Sequence, residues 1–259
     1  KKAEHAQSAR KRFAFEEIFY IQTQRALDRA AASAASTYTV KTDNKHLVAF
    51  TERFPFALTA AQDKAINGIL TDFSGNHAMS RLLEGDVGSG KTAVAATTAY
   101  AVATSRPPEG LGKKLEYGNL QVAYMAPTEI LAKQHFESSI EYFKHLQIQI
   151  GLMTGSGCYK YPSKSNPNEA TKISKAQLVK WVKNGEVPIL IGTHALIYKS
   201  VEFKHLAFVI IDEQHRFGTN QRKALAKKDA RLPHLLSMTA TPIPRTLALT
   251  IYGDLDITL

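Results

Sequence analysis

Three short segments combine residue types and spacings that could do chemistry. The first is Gly85-Asp86-Val87-Gly88-Ser89-Gly90-Lys91-Thr92, a G-x-x-x-x-G-K-[ST] run between a strand candidate, Arg81-Leu82-Leu83-Glu84, and a helical pattern from Lys91 to Thr104. Glycines let the backbone curl until successive N–H groups point inward, and the helix that follows adds the positive end of its dipole. Such a loop suits phosphate: Lys91 would reach the β- and γ-phosphates of a nucleotide, and Thr92 would offer a hydroxyl to Mg²⁺. The second segment is Phe208-Val209-Ile210-Ile211-Asp212-Glu213-Gln214-His215, an apolar strand that delivers two adjacent carboxylates to its C-terminal end. Adjacent side chains on an extended backbone point apart, so the two acids can do different work. Asp212 would hold Mg²⁺ and Glu213 would orient the attacking water. In the third, Ser237-Met238-Thr239-Ala240-Thr241-Pro242, two hydroxyls flank a small residue at a strand end. They could bond the acid pair or sense the γ-phosphate; taken alone, the segment reads as a strand-to-turn transition with a hydroxyl cap.

These residues need a scaffold that brings strand ends together. Short apolar runs at Gln121–Ala126, Pro188–Ile191, Ala207–Ile211 and Leu235–Met238 read as buried strands. Helical patterns fit Lys91–Thr104, Glu129–His145, Ser174–Asn184 and Pro244–Tyr252. Another runs from Thr59, a capping residue, to about Phe73, with Ala61, Ala65, Ile66, Ile69 and Leu70 on one face. Alternating strands and helices imply an α/β fold with a mainly parallel sheet covered on both faces, whose ligands sit beyond the C-terminal strand ends. Residues 1–35 read as a helix packed on the domain that follows, and 36–57 as a polar linker broken at Pro55. The stretches 105–119 and 154–172, rich in Gly, Ser, Pro and Lys, read as surface loops.

The chain has 259 residues, 44% of them hydrophobic and 22% charged, which excludes wholesale disorder. One cysteine, Cys158, excludes a disulfide framework and a cysteine-rich metal site. No apolar run reaches the ~18 residues of a membrane span. The start, Lys1-Lys2-Ala3-Glu4-His5, has neither Met nor an apolar signal core. The expectation is a piece of a longer protein from a reducing, cytoplasmic compartment. The net charge of +10 is compatible with a polyanionic partner.

Together, the three segments resemble the ATPase site of the superfamily 2 helicases and translocases. The stretches GDVGSGKT (85–92), MAPTEILAKQH (125–135), IGTHALI (191–197), IIDEQHRFG (210–218) and MTATPIPRTLALTIYGDLD (238–256) are similar to the RecG family of bacterial branched-DNA helicases. That similarity runs from about Phe54 to Leu259, and Arg12–Phe19 looks like the helix preceding that family's motor. It implies a RecA-like P-loop NTPase sandwich of three layers over 54–259, with 1–53 as helix and linker. It also implies ATP and Mg²⁺ as cofactors, forked or branched DNA as partner, and a monomer. Gln62, in Leu58-Thr59-Ala60-Ala61-Gln62, would read adenine, with a plain exposed helical Gln as the alternative, and His215 would join the nucleotide site. Thr128, Thr193 and His194 would grip one DNA strand, and plain helix capping is the alternative for the two threonines. Thr239 and Thr241 would relay the nucleotide state. A second RecA-like lobe bearing arginine fingers and a wedge domain would lie outside this chain, so the fragment would bind nucleotide and turn over poorly. Thr219 departs from the family, which usually has Val there. Transcription-repair coupling translocases are the nearest rival, but usually carry Phe at the position of Ser89 and Glu at that of Gln214. A DNA-binding module is a further reading, with Arg216, Arg222, Lys223, Lys227, Lys228 and Arg231 facing DNA and nucleotide only regulating it; a solvated charged face is the alternative for that cluster.

Overall fold

A computed structural model describes residues 2–34, 36–107, 118–164, 166–193, 196, 201–213, 231–240 and 256–258. In chain order the elements are α1 (Lys2–Ala34), α2 (Asn44–Thr51), α3 (Ala60–Phe73), β1 (Ser80–Glu84), α4 (Lys91–Thr104), β2 (Gln121–Met125), α5 (Glu129–Phe143) and β3 (Ile150–Thr154). They continue with β4 (Gly157–Tyr161), β5 (Thr171–Ile173), α6 (Lys175–Asn184), β6 (Ile189–Gly192), β7 (Leu206–Asp212), β8 (His234–Thr239) and β9 (Asp256–Thr258). The strands form one sheet in the order β5-β4-β3-β6-β2-β7-β8-β1-β9. Pairing is parallel from β3 to β9 and antiparallel only at the β3-β4-β5 edge. The expected segment Pro244–Tyr252 lies outside the described residues.

The period-2 alternation of the central strands builds the layers. Val122, Tyr124, Phe208 and Ile210 face a core shared with Ile66, Ile69 and Phe73 of α3 and with the buried residues of α4 and α5. Their neighbours Ala123, Met125, Val209 and Ile211 face the opposite core, with Leu178 and Val182 of α6. Both faces of the sheet are thus covered, which is why these strands read as unbroken apolar runs. The result is the RecA-like three-layer sandwich. Side-chain caps fix the helix starts: Thr59, Thr128 and Ser174 accept backbone N–H bonds from Gln62, Leu131 and Gln177, each worth about 1 kcal/mol.

Three expectations are corrected. The stretch 36–57 is packed, because Leu47, Phe50 and Phe54 are buried and Phe50 stacks on Tyr100 with centroids 4.3 Å apart. Val40 N–H also donates to the Phe73 carbonyl at 3.0 Å. The stretch 154–172 contains β4 and the start of β5, with Cys158, Lys160 and Tyr161 buried. Its Gly and Ser residues make the tight turn, while alternate side chains of β4 face the core. Helix α1, expected to pack on the domain, leaves Phe13, Phe15, Phe19 and Tyr20 exposed. Among the described residues no helix is long and apolar enough to cross a membrane.

His234, at the start of β8, ties three segments together. Its Nδ1 lies 3.0 Å from the Met79 backbone nitrogen and its Nε2 lies 2.7 Å from the Tyr38 carbonyl oxygen. A neutral ring satisfies both, accepting at Nδ1 and donating at Nε2, whereas a protonated ring turns Nδ1 into a donor facing Met79 N–H. Burial holds the His234 pKa below its ordinary value, with the Tyr38 carbonyl and Asp72 opposing. The unfolded chain therefore binds a proton below about pH 6.5 that the native ring refuses. This contribution to stability is complete above that pH and is lost as pH falls, by up to about 1.4 kcal/mol per unit. Denaturant unfolding between about pH 7.5 and about pH 5.5 should show a steeper loss in the wild type than in His234→Gln, although the variant is less stable at the upper end.

Candidate active site

The phosphate-type loop begins where β1 stops. Glu84 pairs with Thr239 at the end of β8, and Gly85 N–H donates to the Thr239 carbonyl at 3.3 Å. The loop then curls, with Ser89 N–H on the Asp86 carbonyl at 3.1 Å. Gly88 and Gly90 take φ values of 82° and 81°, a left-handed geometry that side chains resist. Gly90 caps α4 without a side-chain acceptor, so the first amides of the helix have no such partner. Lys91 folds over the loop, its Nζ donating to the carbonyls of Gly85 at 2.6 Å and Asp86 at 2.8 Å. Burial lowers its pKa, while the Asp212 and Asp86 carboxylates push it back up. Lys91 is thus in electrostatic reach of the acid at the end of β7. Asp86, Val87 and Ser89 are exposed on the loop, and Thr92 is part-buried in the first turn of α4.

Gln62 has both ends of its amide engaged. Its Oε1 accepts the Thr59 backbone N–H at 2.9 Å, completing a capping box with the Thr59 hydroxyl. Its Nε2 donates to the Ser89 carbonyl at 2.8 Å, clasping the loop to the start of α3. A Cβ on Gly90 would overlap this amide nitrogen, so Gly90 is required twice, by its φ and by this approach.

Asp212 ends β7 and Glu213 follows it. The expectation that both acids sit on extended backbone is corrected, because Glu213 has φ 52°. A non-glycine residue there carries about 1–3 kcal/mol of strain, and the turn re-aims Glu213. The carboxylate of Asp212 is pinned at both oxygens. Oδ1 accepts Glu213 N–H at 3.1 Å, and Oδ2 lies 2.7 Å from His135 Nε2. His135 Nδ1 in turn lies 3.1 Å from the hydroxyl of Tyr124, whose ring stacks on the imidazole. Sequence reasoning passed over His135. The available signal was its place in α5, seven residues and about two turns after Thr128.

Thr128 is exposed at the start of α5, and Thr193 follows β6, its carbonyl accepting Leu196 N–H at 3.1 Å. Their segments are neighbours, since Ala126 N–H donates to the Gly192 carbonyl at 2.9 Å. Thr239 is buried beside Glu84. His194, His215 and Thr241 lie outside the described residues, as do Arg216, Arg222, Lys223, Lys227 and Lys228. Arg231 sits over the Tyr38 ring at 4.8 Å, which gives it a partner inside the fold. Thr92 and Asp212 offer hard oxygen donors of the kind Mg²⁺ takes, and the curled loop with Lys91 suits a polyphosphate.

Residues 59–250 match the DEAD/DEAH box helicase family. The chain is 46% identical over 250 residues to the ATP-dependent DNA helicase RecG of Aquifex aeolicus, covering 96% of this chain and 28% of that protein. It is 42% identical to RecG of Streptococcus pneumoniae, covering 99% of this chain and 34% of that protein. The chain thus spans about a third of the length of these relatives. A solved structure of RecG bound to a three-way DNA junction superposes with a TM-score of 0.72 at 36% identity, covering 98% of this chain and 30% of that one. The UvsW helicase of bacteriophage T4 shares the fold at 13% identity, with a TM-score of 0.54 over 85% of this chain and 69% of that one.

The two bonds of Gln62 can be separated. Gln62→Glu keeps an acceptor for Thr59 N–H but loses the donor to Ser89, whereas Gln62→Ala loses both. Both variants should lower the thermal midpoint, by roughly 2–4 °C for each ~1 kcal/mol lost, the alanine through both bonds and the glutamate through the Ser89 contact, where two acceptors then meet. Both variants should speed hydrogen exchange of the amides from residue 86 to 90, and unchanged exchange in Gln62→Glu would dismiss the clasp.

Proposed function

The chain belongs to the DEAD/DEAH box helicase family, and we propose that it is the ATP-binding lobe of a DNA motor that remodels stalled replication forks and recombination junctions. The observation that carries this reading is the alignment of strand ends. The phosphate-type loop, Asp212 with Glu213, and Thr239 end adjacent parallel strands, with Thr128 and Thr193 on the next two. Similarity to RecG proteins over nearly the whole chain supports branched DNA as the substrate class.

In this reading the amides of residues 88–92 and the Lys91 ammonium bind the phosphates of ATP. Lys91 exchanges the carbonyls of Gly85 and Asp86 for phosphate oxygens and keeps its charge through the nearby Asp212. Thr92 and Asp212 hold Mg²⁺, which when bound offsets charge on the phosphates. Glu213 orients the attacking water and accepts its proton. Gln62 and His215 complete the nucleotide site, and Thr239 and Thr241 relay its state. Thr128, Thr193 and His194 take phosphates of one DNA strand, contacts that position without reading sequence. A second RecA-like lobe of the same parent supplies an arginine finger, and a wedge domain splits the fork. Such a finger is worth about 10³–10⁵ in rate in related phosphoryl transfers, so this lobe alone binds nucleotide and turns over little.

Calorimetric titration with ATP and Mg²⁺ should give saturable binding to the 259-residue chain. Lys91→Ala should weaken it at least about tenfold, or roughly 1.4 kcal/mol. Equal binding by both proteins would remove the phosphate-loop assignment, and rapid multiple turnover by the chain alone would remove the dependence on a second lobe.

A further inference from the structure

We propose that His135 is a positioning residue for metal–nucleotide binding: reaching across from α5, it holds the Asp212 carboxylate in the orientation from which that group takes Mg²⁺. The inference rests on the reading of Asp212 as a magnesium ligand.

The contacts run in a chain from Tyr124 of β2 through His135 of α5 to Asp212 of β7. Tyr124 is buried in the centre of the sheet, and burial, reinforced by Asp212, pushes its pKa well above the ordinary value. An ionised carboxylate only accepts, so the His135 nitrogen that faces it carries a proton, while the Tyr124 hydroxyl, able to donate or accept, meets Nδ1 at 3.1 Å. Nε2 aims that proton at Asp212 Oδ2 at 2.7 Å. Ring stacking on Tyr124, with centroids 4.6 Å apart, removes the remaining freedom of the imidazole. Among the described residues, His135 is the donor on Oδ2 and Glu213 N–H the donor on Oδ1. The carboxylate cannot rotate without breaking one of them, and each oxygen keeps further lone-pair capacity for a cation or its water. His135 is 8% exposed, so water is a poor substitute for it. The donor comes from a different layer than its target, 77 residues away in sequence. It therefore adds an orientation that β7 alone does not impose on its terminal side chain.

Partners that orient a metal-binding carboxylate typically change metal affinity by 10–100-fold when removed. The test is calorimetric binding of a non-hydrolysable ATP analogue in Mg²⁺ and in EDTA, to the wild type and to His135→Ala, His135→Gln, Tyr124→Phe and Asp212→Asn. The ratio of the two affinities isolates the metal's contribution. His135→Ala should lose at least about tenfold of that ratio, with its EDTA affinity close to wild type. Gln, which presents an N–H near the position of Nε2, should restore most of it, and Tyr124→Phe should fall between. Asp212→Asn should abolish the ratio. If Asp212→Asn abolishes it and His135→Ala keeps it, the positioning role is overturned and the reading of Asp212 stands. If Asp212→Asn also keeps it, the magnesium reading fails and takes the proposal with it. An equal loss in Mg²⁺ and EDTA makes His135 merely structural and overturns the proposal. Should His135→Ala fail to fold, Tyr124→Phe, which removes one oxygen, decides: an unchanged ratio overturns the role.

Discussion

In a parallel sheet every strand finishes on the same edge, so hydrogen-bond register alone sets how far each terminal residue projects. Here the register aligns Glu84 with Thr239, Asp212 with Met238, Ile211 with Met125, and Met125 with Gly192. A slip of one residue in β7 would turn Asp212 to the other face of the sheet and send Val209 and Ile211 into the wrong core. Burial of both faces therefore protects the site. The apolar alternation that fills the two cores also fixes the depth at which the phosphate-type loop, the acids and the hydroxyls meet.

Within that frame the loop is held by its own polar groups. Lys91 is partly withdrawn from water, which lowers its pKa, and two loop carbonyls together with Asp212 and Asp86 compensate its charge. Gln62 adds a tether from the separate helix α3, and Gly90 is the only residue type that admits both the turn and that tether. An anion entering the loop would have to draw Lys91 away from the carbonyls of Gly85 and Asp86, so those two bonds hold the ammonium in place until phosphate oxygens replace them.

The sequence made the central strands and their terminal motifs legible because buried parallel strands are continuous apolar runs that stop at polar residues. Lys91–Thr104 and Ala60–Phe73 were equally readable as helical patterns, the second with Thr59 as its cap. Other features were hidden for identifiable reasons. Helix α2 has eight residues, too few for a clear period, and its buried Phe50 is explained only by Tyr100 across the core. Strand β4 lies next to an antiparallel edge, where half the side chains are polar and glycine turns imitate a loop. Gln62 was read for its chemistry toward a base, whereas its local bonds are to Thr59 and Ser89. Asp212 was readable as an acid at a strand end, but its orientation was not, because the donor that fixes it belongs to another layer.

That last difference bears on how such a site responds to what binds around it. The position of Asp212 along β7 is set by the sheet, which is rigid and buried. Its rotation is set through His135 by α5, whose first turn carries the exposed Thr128. The same turn is fastened to the β3–β4 hairpin, where Glu129 is held below its ordinary pKa chiefly by the Ser156 hydroxyl, assisted by the backbone of Gly155 and Ser156. Seven residues of helix, about 10 Å, separate Thr128 from His135. A helix transmits displacement along its axis with little loss, because each turn is braced by backbone hydrogen bonds. If His135 positions Asp212 as proposed, a contact that moved α5 would bear on the angle of the carboxylate, whereas its depth is set by the register of β7. Mg²⁺ demands near-ideal octahedral geometry, so the orientation of the carboxylate matters to it as well as the depth.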